Sequence, residues 1–313
     1  MMKESFSMNT RKLLQLIGLL NPPSVQQSVD ATSFKKYKCG RFEIELPHDH
    51  KLPDYQQIHR LYDRFLPVLA SCLPENSLVI DVGANVGDTY ASMLSENEEL
   101  AFHCFEPDPS FFSFLIRNAD QIGSKTGRKH RDSFAKAFVG AGNSNNGELI
   151  SENGSAKVIK NPEAANTIHY IRLDDYLNSA GLADDALILV KSDVDGYDFD
   201  VIESMGDYLR RPQTIFFFEA QCFTAEQLIG FSELAEKLSQ HGFQFTIFDN
   251  FGTPIHAQCS SSQIINLLNY AWHQQTAMAT RTLWYFDVLA TSGQTSAIGS
   301  SALQAYKTRF SLN

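Results

Sequence analysis

The sequence predicts an α/β protein built on a doubly wound, mostly parallel sheet. Three observations carry this. The strand candidates are continuous apolar runs rather than alternating ones, which is how strands covered on both faces read. Helical periodicity follows most of them, and strand–helix alternation implies parallel pairing. The 313 residues are 43 % apolar, enough to build a large core in one domain with additions or in two modest ones.

Taken in chain order, residues 1–45 read as an N-terminal appendage. It holds an amphipathic helix over "RKLLQLIGLL" (residues 11–20), a break at Asn21-Pro22-Pro23 and a strand at "RFEIEL" (residues 41–46). The apolar part of the helix is short, and no small-residue cleavage site follows it, so a signal peptide is not expected. From Pro53 to Leu73 the residues Ile58, Leu61, Tyr62, Phe65, Leu66 and Leu69 recur at helical spacing, with Pro67 placed to kink one long helix. The strand candidates are then "SLVID", "LAFHCFE", "FAKAFVG", "ALILVKSD", "TIFFFEA", "FQFTIFD" and "LWYFDVLA". Helices are expected over residues 87–95, 109–121, 198–209 and 224–241. Residues 140–167 are rich in Gly, Asn and Ser, with Asn-Gly pairs at 146–147 and 153–154, and are expected to form a hairpin excursion from the main domain at 46–292. The tail 293–313, rich in Ser, Gln and Ala, is expected to be peripheral.

In an open α/β sheet ligands bind beyond the carboxyl ends of the strands. The first strand–loop–helix is "SLVIDVGANVGDT" (residues 77–89), with Gly83, Asn85 and Gly87 at every second position. Glycines there allow close approach of backbone to a ligand, and a helix opening near Gly87 aims free N–H groups at it. A dinucleotide fingerprint starting at Gly83 would need glycine where Asn85 and Asp88 stand, and Asp88 would repel a pyrophosphate. The pattern D-x-G-x-N-x-G suits a ligand with carboxylate, ammonium and ribose but no phosphate, a description that S-adenosylmethionine fits. Glu106, at the tip of the next strand and 19 residues after Gly87, is placed to accept both ribose hydroxyls, while Asp108 caps the helix opening at Pro109. The expected cofactor-binding set is Asp81, Gly83, Ala84, Asn85, Gly87, Asp88, Thr89, Glu106, Pro107, Ala137 and Asp193.

At this point the chain resembles the FkbM-type methyltransferases, a branch of the class I S-adenosylmethionine-dependent methyltransferases. The matching pieces are "YDRFLPVLA", "VIDVGANVGDT", "FEPDP" with Arg117-Asn118 in the following helix, "RLDDYL", "LVKSDVDGYD" and "IFFFEAQ", in family order across roughly residues 50–290. The family often has Glu where Asp198 stands and an aliphatic residue where Ser192 stands. The resemblance implies a seven-stranded Rossmann-like methyltransferase sheet with the last strand antiparallel, "LWYFDVLA" supplying the inserted strand. It also implies methyl transfer to a hydroxyl, on a sugar of a surface or secreted glycan. A secondary-metabolite hydroxyl, or S-adenosylmethionine binding without catalysis, are the alternatives.

Methyl transfer is an in-line displacement that needs an aligned acceptor and removal of its proton. "KSDVDGYD" puts Lys191, Asp193 and Asp195 at one strand end and "FFFEAQ" puts Glu219 at the next. These four are the expected catalytic residues, with Asp193 or Glu219 as the base. Asp193 and Glu219, with Asp195 or Gln221, could instead hold a divalent cation, whose oxygen-only ligands favour Mg²⁺, Ca²⁺ or Mn²⁺. Asp198 and Asp200 read as N-terminal charges of the next helix. His50 precedes the cofactor region but reads as surface loop, and the basic run Lys125, Arg128, Lys129, Arg131 as a solvated loop.

The net charge of −10 argues against nucleic acid as partner. Five cysteines without a CxxC pair argue against a disulfide or zinc framework and suit a cytoplasmic setting. No segment is long and apolar enough to span a bilayer. The expected partner is a small-molecule or glycan acceptor. Oligomeric state is not encoded in any readable pattern.

Overall fold

The computed structural model describes residues 34–312 except 129–130, 143, 153–154, 161–166, 183–184 and 278–281; for 144–152, 155–160 and 167–168 it describes backbone only. The expected helix at 11–20, Lys129 and the Asn153-Gly154 pair lie outside the described residues.

The main sheet has eight strands. Five are parallel: β3 (Leu78–Val82), β4 (Ala101–Phe105), β5 (Ser133–Ala135), β10 (Ile188–Ser192) and β11 (Thr214–Ala220). The remaining three are β12 (Gln244–Asp249), β13 (Pro254–Cys259) and β14 (Phe286–Thr291), and the spatial order is β13-β12-β14-β11-β10-β3-β4-β5. The last strand, β14, inserts antiparallel between β11 and β12, as the resemblance implies. The seven-stranded Rossmann-like methyltransferase sheet is therefore present, with β13 added antiparallel at the edge beyond β12. β13 escaped the sequence reading because four of its six residues are exposed and carry no apolar run.

Alternate residues of the strands feed two cores. Leu78, Ile80, Val82, Val190, Phe216 and Phe218 lie on one face; Val79, Leu189, Ile215, Phe217 and Leu289 lie on the other. The first face is covered by α5 (Leu173–Ala180), α6 (Asp198–Glu203), α7 (Ala225–Gln240) and α8 (Ser261–Ala277). The second is covered by α2 (Phe65–Cys72), α3 (Asp88–Glu96), α4 (Pro109–Thr126) and α9 (Ser296–Phe310). Asp108 caps α4 by accepting from the N–H groups of Ser110 and Phe111, and Thr224 with Gln227 forms a capping box on α7.

Four expectations are corrected. The single helix over residues 53–73 is two, α1 (Leu52–Ile58) and α2, separated by residues 59–64. Pro67 sits in the first turn of α2, where an N–H has no intrahelical partner, so it breaks nothing. The boundary at residue 45 falls inside β2 (Phe42–Pro47), which pairs with β1 (Phe34–Cys39) and buries Ile44 and Leu46 in the second core. The tail is not peripheral: α9 buries Ala302 and Tyr306, and Tyr306 packs edge-on against Phe65 and donates to the carbonyls of Leu61 and Gly252. Its small residues let it lie close to α2 and β14. Within the basic run, Arg128 departs from the solvated loop expected. Arg128 is buried, pairs with buried Asp132 at 2.8 Å and donates to the carbonyls of Glu98 and Leu100.

A second, four-stranded sheet of order β6-β9-β7-β8 stands beside the main one. It comprises β6 (Phe138–Val139), β7 (Ser144–Glu152), β8 (Ser155–Lys160) and β9 (Thr167–Ile171). β7 and β8 pair antiparallel with Glu152 opposite Ser155, and Asn146-Gly147 lies within β7. The run "FAKAFVG" thus divides between two sheets, β5 and β6.

Candidate active site

The carboxyl ends of β3, β4, β10 and β11 are level: Val82 stands opposite Phe105 and Ser192, and Ser192 opposite Phe218. Because β14 runs the other way, its amino end completes this edge, with Asp287 opposite Glu219. A cavity of about 630 Å³ opens there.

The loop after β3 forms the floor. Gly83 and Ala84 donate their N–H groups to Phe105 O (both 3.0 Å), Asn85 donates to a Glu106 carboxylate oxygen (2.8 Å), and Gly87 donates to Ala84 O (2.8 Å). Gly83, at φ 74°, is required by protein rather than by ligand: a Cβ there would stand 2.0 Å from the backbone oxygen of Asp193. Gly83, Asn85, Asp88 and Thr89 line the cavity, with Glu106, Pro107 and Ala137 on the β4–β5 side. Ala84 and Gly87 are not among the lining residues; they shape the turn beneath.

Asp81 and Lys191 are register partners on adjacent strands, on the same sheet face. Both are buried, and the Lys191 ammonium lies 3.0 Å from the Asp81 carboxylate and 2.8 Å from Gly83 O. Burial alone would lower the Lys191 pKa, but the carboxylates of Asp81, Asp193 and Asp88 outweigh it and hold the ammonium charged. Asp81 therefore does not face the cavity; it anchors Lys191, which does. A carboxylate in an apolar strand has its nearest cation one strand away, and pairing across non-adjacent sequence is invisible until register is known.

Glu106 is almost fully buried. Its two oxygens take the N–H groups of Asn85 and Asp108, both at 2.8 Å, leaving further lone pairs toward the cavity. Burial pushes its pKa up to about 7. Asp198 opens α6, as expected, and has a further role. It is fully buried and braces the turn after β10, accepting from Ser192 Oγ (2.7 Å) and the N–H groups of Val194 and Gly196 (3.2 Å each). Its pKa is pushed up to about 7, by burial first and Asp193 second.

The expected catalytic residues all reach the cavity. Asp193 is exposed to it, 3.8 Å from Lys191; Asp195 adopts φ 55° in the turn; Glu219 projects from the end of β11. Burial, then Asp193 and Asp198, hold the Glu219 carboxyl well above the usual range, and burial with Asp63 does the same for Asp287. As to the metal, no group of three or more His, Cys, Asp or Glu among the described residues is arranged to hold a cation, and Asp193 and Glu219 both line the cavity.

Sequence reasoning missed several lining residues. Tyr62, Asp63, Trp284, Tyr285, Asp287 and Asp200 all border the cavity. Asp287 had a signal, a carboxylate inside the apolar run "LWYFDVLA". His50, read as surface, is buried at the cavity edge. It accepts the Leu52 N–H at Nδ1, so Nε2 donates to Asn85 Oδ1 at 3.2 Å and steadies the loop.

Sheet order, inserted antiparallel strand and ligand edge together define a methyltransferase of the Rossmann-like class. The FkbM methyltransferase domain matches residues 81–245, just over half of the chain, and the chain belongs to that family. Among solved structures it is similar to a precorrin-6y C5,15-methyltransferase from Geobacter metallireducens (12 % identity, covering 74 % of this chain and 87 % of that one, TM-score 0.37). It is also similar to a methyltransferase FkbM from Methylobacillus flagellatus (12 %, 77 % and 58 %, TM-score 0.37). A third is the plantazolicin methyltransferase BpumL in complex with SAH (10 %, 77 % and 88 %, TM-score 0.37). No curated protein matches it. Among the described residues no helix is long and apolar enough to cross a membrane.

Proposed function

We propose that the protein is an O-methyltransferase that binds S-adenosylmethionine in this cavity and methylates a hydroxyl of a sugar in a surface or secreted glycan. The observation that carries the reading is the placement of Glu106 and the Asn85–Thr89 turn on one side of the cavity and of Glu219 on the other. The donor set fits the cofactor: a carboxylate with lone pairs free for ribose hydroxyls, a helix start at Asp88, and a cavity edge rich in negative charge for a sulfonium and an ammonium. When bound, S-adenosylmethionine supplies an electrophilic methyl group.

The chain's own residues do the rest. Glu106 would hold the ribose, and Lys191, locked by Asp81, fixes the β3 and β10 loops together. Glu219 would take the proton from the acceptor hydroxyl as the hydroxyl oxygen bonds the methyl carbon and the methyl–sulfur bond breaks, the neutral thioether being the leaving group. Glu219 is preferred to Asp193 because it is partly buried, whereas the Asp193 side chain is 56 % exposed. The sugar assignment rests on the family resemblance and on the aromatic rim of Tyr55, Phe251 and Trp284, faces on which a sugar ring can stack.

Titration calorimetry with S-adenosylmethionine tests the cofactor half. Saturable binding is expected for the wild type and a marked loss for Glu106→Ala, with NAD⁺ silent. No binding by folded protein would overturn the reading.

A further inference from the structure

Glu219 and Asp287 are cross-strand partners at the acceptor side of the edge, on the strands β11 and β14, and Asp63 borders the same cavity. The cationic side chains among the described lining residues are held elsewhere: Lys191 by Asp81, and Lys51 by Asp54 at 3.8 Å on the exposed rim. Like charges directly opposite one another on adjacent strands repel. Burial and that crowding favour the protonated form of both, and a cation placed between them would let both ionise.

A second observation points the same way. Gln221 follows Glu219 by two residues, is nine-tenths buried and lines the cavity. Its Oε1 has no hydrogen-bond partner among the described residues. A buried carbonyl oxygen left in this state costs free energy unless a donor reaches it. Once ionised, the two carboxylates present only acceptors to the cavity, as the Gln221 amide oxygen does. A primary ammonium carries three donors and no acceptor.

From this we infer that the acceptor carries a primary ammonium group, an amino sugar within the glycan reading, and that Glu219, Asp287 and Gln221 dock it. The inference rests on that reading for the reaction, and adds the chemistry that selects the substrate. The docked cation favours the ionised form of Glu219, so the base is competent at lower pH when an aminated acceptor is present. On methylation of the neighbouring hydroxyl its proton passes to Glu219, and the ammonium keeps its own.

The test uses full-length protein loaded with SAH, and saturation-transfer NMR with four probes: glucosamine, glucose, hexylamine and hexanol. Each amine is expected to bind at least about tenfold more tightly than its neutral match, as one charge-assisted contact allows. Asp287→Asn should abolish the preference, and Gln221→Leu should reduce it. Equal binding of amine and neutral probe, no binding by either amine, or a preference that survives Asp287→Asn would each overturn the inference. SAH binding is read separately by calorimetry. Its failure would sink the cofactor reading while leaving amine docking measurable, and its success with silent amines would sink only the inference.

Discussion

Glu219 is the residue on which the chemistry turns. A base whose pKa is raised by burial and by Asp193 is protonated at low pH, so activity should climb as pH rises through that raised value and fall away below it. Glu219→Gln is expected to lower kcat by about 10²–10⁴-fold and to remove the acidic limb of the pH–rate profile. A profile unchanged by the substitution would move the base to Asp193. Lys191 makes a different prediction at the same scale. Lys191→Met leaves the Asp81 carboxylate buried and unpaired, which costs about 3–5 kcal/mol. The double variant Asp81→Leu, Lys191→Met should recover much of that loss in denaturant unfolding. Equal or additive losses would show that the pair is not the coupled unit described.

The turn between β3 and α3 shows how an element is specified. Gly83 is forced by positive φ and by the Asp193 carbonyl 2.0 Å from its absent Cβ. Gly83→Ala should therefore destabilise by more than about 1 kcal/mol and weaken cofactor binding, because the β3 and β10 turns must part to admit the methyl group. At the far end of the chain, α9 is an element of the core rather than a tail. Tyr306→Phe removes donation to two buried carbonyls and should cost about 1–3 kcal/mol in thermal unfolding. A neutral outcome would mean that α9 can leave without disturbing the fold.

Across the whole molecule, the excess of carboxylates gathers at one edge of the sheet, and this sets the pH response. Glu106 and Asp198, both near 7, and Glu219 and Asp287, held well above the usual carboxylate range, bind protons more tightly in the folded chain than when unfolded. Their contribution is complete at low pH and is lost as pH rises through the folded values. Buried His103, lowered to about 4 by desolvation, acts in the opposite direction, but only below its unfolded value of 6.5. From pH 6.5 upward through about 7 these carboxylates outweigh His103, and the melting temperature of the unliganded protein should fall with pH by calorimetry. Asp287→Asn should flatten that slope. A melting temperature that rises over this window would contradict the raised values.

Continuous apolar runs separated by helical periods determined the doubly wound sheet, because burial on both faces is written into composition alone. The same local grammar marked the strand ends, and with them Glu106, Asp193 and Glu219, since the residue after a buried run meets the ligand edge wherever its neighbours lie. The partners of those residues were decided only by tertiary structure. Asp81 meets Lys191, and Glu219 meets Asp287, through strand register, and register depends on which strands are adjacent. The antiparallel insertion of β14 brings an aspartate from near the end of the chain into the acceptor side, and the burial of α9 turns a polar-looking tail into core. Neither leaves a trace in spacing, because each depends on surfaces that exist only once the sheet has formed.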